Sequence, residues 1–266
     1  EGPYVDRGVV DQIAQGLGGM MSVTGIPGQG PVRAGVAISD ITAGLQLAVG
    51  ILVALHERKR TGRGRYVTTS LLESMIGMLD FQAARFTVAG EVPPQAGNDH
   101  PTLGPMGMYA TRDGHMNLAA PWGRMWSALC EILERPELEN DPRFATTNDR
   151  ALNRAALNIE LETALAPRTT EDWVERMNAV GIPSGPVNDL AQTFADPQVK
   201  HLGVAAKVTH PGVGEIEIIR NATHLDGVSD EIRRPSPDPG EHTDEVLSEF
   251  GLSSDQVKSL REKEII

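Results

Sequence analysis

The chain has 266 residues and a formal net charge of −12, with 40% hydrophobic and 23% charged residues. This balance predicts a soluble globular protein and argues against intrinsic disorder. A surface this acidic repels nucleic-acid phosphates and anionic membranes, and we therefore expect neither as a partner. A local basic pocket can still bind an anionic small molecule.

Cysteine usage and the lack of sorting signals predict a cytoplasmic location. Cys130 is the single cysteine, so no disulfide can form within the chain, and its helical apolar setting favours a core residue over a nucleophile. The longest apolar stretch, residues 41–55, is predicted to be too short to span a bilayer. The N-terminus shows neither a signal-peptide pattern nor an initiating Met, which predicts that the chain begins partway through a longer protein.

The first predicted elements are a short helix, a loop and a long helix. Residues 9–21 place apolar positions at helical spacing, and the Gly- and Pro-rich residues 25–35 predict a loop. Asp40 then precedes an apolar segment that predicts a helix over 41–59, with Asp40 at its N-cap. Because the apolar residues lie on nearly every face, we expect this helix to be buried on most sides.

The rest of the chain predicts alternating strands and helices. Residues 66–70 have strand composition, a helix follows over 71–86, and residues 90–105 predict a linker and loop. Thr170 and Gly181 mark the start and end of a later helix. Beyond the loop the patterns predict paired strands at 106–110 and 116–120, helices near 122–134, 150–166 and 171–180, strands at 204–208 and 215–219, and two short terminal helices.

These elements together predict an α/β protein with a smaller α+β region in the middle. An open parallel sheet needs several βαβ units, and the first quarter of the chain supplies one clear strand. We therefore expect part of the sheet to come from a preceding segment or from a partner chain.

Asp40 is the residue most suggestive of chemistry. The N-terminus of a helix favours the ionised carboxylate, and an ionised carboxylate can attack a thioester carbonyl to form a mixed anhydride. Aspartate is also among the commonest N-cap residues, so its local context alone favours a structural cap over a nucleophile.

Other polar residues are weaker candidates. Asp11 stands in a patch with Arg7 and Gln15, where it could orient a nucleophile, hold a ligand's polar groups or cap a helix. His100 lies in the polar, turn-forming loop 97–101, which could close over a site. The seven histidines are scattered without HExxH or paired-Cys spacing, so no metal site is predicted, and no phosphate-binding or dinucleotide fingerprint is present.

Short segments spread over essentially the whole chain carry a family resemblance. They are Gly2-Pro-Tyr, Asp11 with Ile-Ala-Gln, 18–25, 39–44, 50–55, 60–64, 70–74, Gly97-Asn98 with His100-Pro101, 141–144, 181–187, 196–197 and 240–243. In this order they resemble the class III CoA-transferases, to which formyl-CoA transferase belongs. Asp40 falls on the family's catalytic aspartate, and this match outweighs the capping interpretation.

The resemblance implies an architecture and a reaction. It implies a Rossmann-like large domain, partial here, with a smaller α+β domain, in an interlocked homodimer. The chain would divide into 1–88 (large-domain part with the catalytic aspartate), 89–187 (small domain) and 188–266 (linker and return to the large domain). It also implies transfer of CoA from an acyl-CoA donor to a carboxylic acid through an aspartyl anhydride and an aspartyl-CoA thioester, with CoA as substrate and no tightly bound cofactor.

The resemblance also implies where CoA binds. The family's CoA contacts that remain in this chain fall near Arg7, Val10 and Asp11, with Leu71 along the pantetheine path. The family's N-terminal segment, which supplies most CoA contacts, is not in the sequence given.

A loop that covers the aspartate in formyl-CoA transferase carries four glycines, and here it reads Asn98-Asp-His100-Pro-Thr-Leu-Gly. We expect this loop, with Gly97, Asn98 and His100, to gate the substrate site. The changed sequence gives no ground for formate or oxalate specificity.

Two alternatives remain open at this stage. An α-methylacyl-CoA racemase shares the fold, but it needs a second acid or base, and the position where such racemases carry histidine is Val10 here. A non-catalytic interaction protein, truncated and unable to hold CoA, is the other alternative.

Overall fold

The computed structural model describes residues 2–229 and 231–266, which fall into two compact units, Glu1–Val187 and Asn188–Ile266. Unit 1 contains the helices α1 (Asp11–Leu17), α2 (Met20–Val23), α3 (Ile38–Thr61), α4 (Leu71–Gly77) and α5 (Phe81–Ala89), the strands β1 (Met106–Ala110) and β2 (His115–Ala119), α6 (Gly123–Ile132), a 3-10 helix at Pro136–Asn140, α7 (Thr147–Leu152), α8 (Arg154–Leu165), α9 (Thr170–Ala179) and β3 (Ser184–Pro186). Unit 2 contains α10 (Leu190–Ala195), α11 (Pro197–Leu202), β4 (Ala205–His210), β5 (Gly214–Ile219), α12 (Thr243–Glu249) and α13 (Ser254–Glu262). The mixed α/β content agrees with the predicted fold class, whereas the three-part domain division stays a prediction.

Each strand pairing among the described residues is antiparallel. In unit 1 the order is β1-β2-β3, with Tyr109 opposite Met116 and Leu118 opposite Ser184. In unit 2, β4 and β5 form a hairpin with Ala205 opposite Ile219. The predicted strand at 66–70 is wrong: this segment is neither helix nor strand, and Tyr66 is 94% exposed. The segment has strand composition but no described strand beside it to share the ladder hydrogen bonds.

The hydrophobic core of unit 1 lies between the β1-β2-β3 sheet and the helices α6, α8 and α9. Alternate residues of β2, Met116 and Leu118, face it, as the two-residue period of a strand requires. Along α8 the residues Leu157, Leu161 and Leu165 recur every four positions and are fully buried. Cys130 is also buried, and burial raises the pKa of its thiol to about 12, which confirms a core role.

Helix α3 is longer and more exposed than predicted. It begins at Ile38 and ends at Thr61, where Gly62 takes a left-handed conformation (φ 71°) that glycine adopts without strain. Its buried residues, Ser39, Thr42 and Ala43, lie in the first two turns. The expectation of burial on most sides is therefore wrong, because every residue of α3 after Ala43 is exposed or half-buried.

The exposed face of α3 carries large apolar side chains. Leu45, Val49 and Leu52 are 65%, 61% and 66% exposed. Helix α3 has 24 residues, and an 18-residue window within it has a mean hydropathy of 1.8, so α3 is long and apolar enough to cross a membrane, contrary to the shorter span predicted. The core helix of a soluble protein meets the same criterion, so length and composition alone decide nothing.

The buried guanidinium of Arg150 joins α7 to the segments that flank β1 and β2. Arg150 is 2% exposed, and its nitrogens donate to the carbonyl oxygens of Gly104 (3.0 Å), Phe144 (2.8 Å) and Pro121 (2.8 Å). Burial lowers the pKa of Arg150, and the carbonyl dipoles offset the cost of removing the charge from water. The guanidinium also lies 4.9 Å from the centre of the Trp126 ring, a cation–π contact.

We expect Arg150→Met to reduce the free energy of unfolding by about 3 kcal/mol, because three buried carbonyl oxygens lose a charged donor. Urea unfolding followed by circular dichroism measures the change. Arg176→Met is the matched control, since Arg176 forms an exposed ion pair with Asp172 on one helix face and should leave the midpoint almost unchanged. Equal midpoints for the two variants would contradict the role given to Arg150.

Candidate functional site

The first turn of α3 presents Asp40 to solvent. Asp40 is the third residue of the helix and is exposed, while the preceding Ser39 is fully buried. The predicted N-cap position is wrong: Ala37 is the N-cap residue and offers no side-chain cap hydrogen bond. Within the first turn the helix macrodipole still favours a negative charge on Asp40.

Asp11, the first residue of α1, bonds to the residue before Asp40. It is 9% exposed, and its Oδ1 accepts from the Ser39 backbone N–H (3.0 Å) and from the Ser39 hydroxyl (2.9 Å). Its Oδ2 accepts from Gln15 Nε2 (2.7 Å) and lies 3.7 Å from the Arg33 guanidinium. Burial by itself would raise the pKa of Asp11, but the hydrogen bonds from Ser39 and Gln15 and the charge of Arg33 outweigh it and lower the pKa.

Gln15 extends this contact to the loop before α3. It is fully buried, and its Oε1 accepts from the Ala34 N–H at 2.8 Å while its Nε2 also donates to the Val36 carbonyl at 3.3 Å. The structure therefore joins Asp11, Gln15 and Ser39 in one hydrogen-bond network beside Asp40. The sequence placed Gln15 near Asp11 but gave no sign of Ser39 as the partner.

The remaining predicted CoA contacts are Arg7, Val10 and Leu71, of which the first two precede Asp11 in the chain. Arg7 is exposed, with its guanidinium 3.8 Å from the centre of the Tyr4 ring. Val10 is 63% exposed and is the N-cap residue of α1. Leu71 is the half-buried first residue of α4, a helix that packs on α1 and α3. Their contact with CoA stays a prediction.

The predicted substrate loop borders a cavity in unit 1. A cavity of about 500 Å³ is lined by Gly97, Asn98 and His100 from the loop and by Asn117 and Ser184 from the sheet, among others. Gly97, at the rim of the cavity, is held by a hydrogen bond from its N–H to the Gly25 carbonyl at 3.0 Å. Sequence reasoning gave no site role to Asn117, which lies in no motif, or to Ser184, which lies in the family segment 181–187; strand pairing brings both to the cavity.

Asp99 lines the same cavity and was not among the predicted site residues. Its carboxylate accepts from Asn158 Nδ2 at 3.2 Å. Burial raises the pKa of Asp99, although the charge of Arg154 and the bond from Asn158 oppose the rise. Asp99 adds negative charge to the cavity wall when ionised.

The ring of His100 accepts hydrogen bonds from its own loop. Its ring stacks on Phe81 with centroids 5.7 Å apart, and its Nδ1 accepts from the backbone N–H groups of Leu103 (3.2 Å) and Thr102 (3.3 Å). Burial, with the positive charge of Arg154, lowers the pKa of His100 below its ordinary 6.5. Protonation of Nδ1 would break both bonds, so the folded loop favours the neutral ring.

Because the folded-state pKa of His100 lies below the unfolded value, its contribution to stability is present above pH 6.5 and declines as the pH falls towards the folded-state pKa. We expect His100→Phe, which can keep the stack on Phe81, to lose less stability than the unsubstituted chain between about pH 7 and pH 5. Urea unfolding of both proteins at each pH gives the contribution of His100 to the free energy of unfolding. Parallel pH profiles would contradict the assignment.

Comparison with known proteins places this arrangement in a family. The model of CoA-transferase family III matches residues 1–243. The chain belongs to CoA-transferase family III. The predicted resemblance to class III CoA-transferases is thereby confirmed.

Two named relatives are identical to the chain at about a third of the aligned positions. It is 31% identical over 248 residues to the human succinyl-CoA:glutarate CoA-transferase, covering 93% of this chain and 57% of the relative. It is 34% identical over 254 residues to the succinyl-CoA:mesaconate CoA-transferase of Haloarcula marismortui, covering 92% and 61%. The chain thus spans about three fifths of the length of these relatives.

A solved structure shares the fold. The crystal structure of a CAIB/BAIF family protein from Brucella suis superposes with a TM-score of 0.79 at 34% identity, covering 94% of this chain and 65% of that one. The fold described above therefore occurs in an experimentally determined member of this group.

Proposed function

We propose that the chain transfers CoA from an acyl-CoA donor to a carboxylic acid, with Asp40 as the covalent nucleophile. The observation that carries this proposal is the exposed Asp40 carboxylate in the first turn of α3, directly after a fully buried and hydrogen-bonded Ser39. A carboxylate in the first turn of a helix, where the macrodipole favours negative charge, is suited to nucleophilic attack.

The reaction proceeds by acyl exchange at Asp40. The carboxylate attacks the donor thioester carbonyl, the C–S bond breaks, and a mixed anhydride and the CoA thiolate form. The thiolate attacks the Asp40 carbonyl and releases the donor acid, leaving an aspartyl-CoA thioester. The acceptor carboxylate attacks this thioester and forms a second anhydride. The released thiolate attacks its acceptor carbonyl, which gives the new acyl-CoA and restores Asp40.

The relatives support a proposal for the substrates. Both relatives described above are named for succinyl-CoA and a dicarboxylic acid, glutarate in one and mesaconate in the other. We infer a succinyl-CoA-type donor and a short dicarboxylic acceptor, with the acceptor in the cavity bordered by Asn98 and His100. The Rossmann-like large domain and the interlocked homodimer belong to the same proposal, and the uncovered apolar face of α3 supports the dimer.

Incubation with succinyl-CoA should add a mass equal to CoA less one water, located on the Asp40 peptide. Asp40→Asn should lower the rate of adduct formation about 1,000-fold or more, since the amide is a poor nucleophile. Intact and peptide mass spectrometry, with hydroxylamine trapping of the thioester, measures it. Asp6→Asn, which changes another exposed carboxylate, is the control and should keep the adduct.

The experiment uses both this chain and the whole product of the gene that encodes it, because the chain spans about three fifths of its relatives. A CoA adduct on another residue, or no adduct from either protein under conditions where CoA binds, would overturn the role of Asp40.

The proposed contact between the acceptor and the substrate loop is tested by the second half of the reaction, in which the acceptor enters. Asn98→Ala should form the aspartyl-CoA adduct at the normal rate but raise the KM for glutarate about tenfold, because it removes a polar group at the cavity. Thr102→Ala, in the same loop, is the matched control. An unchanged KM for the acceptor, or a slower first step, would place the acceptor elsewhere.

A further inference from the structure

The first turn of α3 depends on a cap from outside the helix. The first four N–H groups of a helix have no partner within it. The N-cap residue Ala37 has no side-chain oxygen to accept from them. Asp11 takes this role from 28 positions away, since its Oδ1 accepts from the Ser39 N–H at 3.0 Å and from the Ser39 hydroxyl at 2.9 Å.

This contact is buried and charged, unlike a local surface cap. Ser39 is fully buried and Asp11 is 9% exposed. Hydrogen bonds to an ionised acceptor are short and strong where water is excluded. The negative charge of Asp11 also lies at the end of α3 that the helix dipole makes positive.

Asp11 is itself held in place from two sides. Gln15 donates to its Oδ2 at 2.7 Å, and the Arg33 guanidinium lies 3.7 Å from the same oxygen. Gln15 also binds the backbone of Ala34 and Val36, so the loop leading into α3 is joined to α1 at several points. The network has no contact through which the Asp40 carboxylate itself is held, so it acts on the backbone of the turn.

We propose that Asp11 is a positioning residue for the nucleophile: by fixing Ser39, it fixes the backbone from which Asp40 projects. The inference rests on the proposed role of Asp40. A displacement of about 1 Å at a reacting group can cost about 100-fold in rate, so a loosened first turn slows attack without removing any reacting atom. The hydrogen bonds from Ser39 and Gln15 already occupy the carboxylate of Asp11, which favours this role over direct contact with CoA.

Three variants in the full 266-residue chain separate the roles. Asp11→Ala removes the acceptor, Asp11→Asn keeps an oxygen for the Ser39 N–H, and Ser39→Ala removes the hydroxyl bond alone. We expect Asp11→Ala to speed amide hydrogen exchange at residues 38–41 about tenfold and to slow single-turnover adduct formation at Asp40 about 30- to 100-fold, with the dissociation constant for CoA unchanged. Asp11→Asn should recover most of both, and Ser39→Ala should show a smaller change of the same sign.

Unchanged exchange and rate in Asp11→Ala would overturn the inference, as would weaker CoA binding with an unchanged rate of attack. If Asp11→Ala does not fold by circular dichroism, the comparison of Ser39→Ala with the unsubstituted chain decides the matter by the same two readouts. If the unsubstituted chain forms no adduct at Asp40, the proposed function fails, while hydrogen exchange still tests whether Asp11 holds the turn.

Discussion

The hydrogen bonds to the buried carboxylate of Asp11 are the interactions on which the junction between α1 and the start of α3 depends. An ionised group away from water is stable only when hydrogen bonds replace its hydration, and Ser39, Gln15 and Arg33 supply that replacement. Because these partners come from α1, the following loop and α3, the same bonds that satisfy the charge also determine how the three segments meet. Gly18 contributes to this packing, since a Cβ there would lie 2.8 Å from the Met75 side chain of α4.

Arg150 has the corresponding role in the sheet part of the unit. Its charge is compensated by the carbonyl oxygens of Gly104, Phe144 and Pro121, and none of the carboxylates that the structure describes lies at ion-pair distance from it. Directional bonds of this kind add modest net stability but strongly favour one arrangement of the chain. Gly104 is the last residue of the loop that borders the cavity. The hydrogen bond from Arg150 to the Gly104 carbonyl therefore holds the end of the candidate substrate loop.

The sequence predicted elements whose signals are local. The hairpin expected at 106–110 and 116–120 lies at Met106–Ala110 and His115–Ala119, and Thr169 and Gly181 bound α9 within one residue of expectation. The contacts between distant residues could not be predicted. Nothing in the periodicity around Asp11 or Ser39 indicates that they bond, and the proposal of Asp40 as the nucleophile came from the ordered motifs, not from its local context. The exposure of α3 was missed because periodicity shows which faces are apolar but not what covers them.

The apolar face of α3 has a consequence for the hydration of the helix. Side chains such as Leu45, Val49 and Leu52 stay largely hydrated in the folded chain. Removing this apolar surface from water would be favourable, but the folding of unit 1 does not remove it. The free energy becomes available only when another surface excludes the water. The helix that carries Asp40 at one end therefore has two unlike parts: its first turn is stabilised by hydrogen bonds within the chain, whereas its far turns present an apolar face to water.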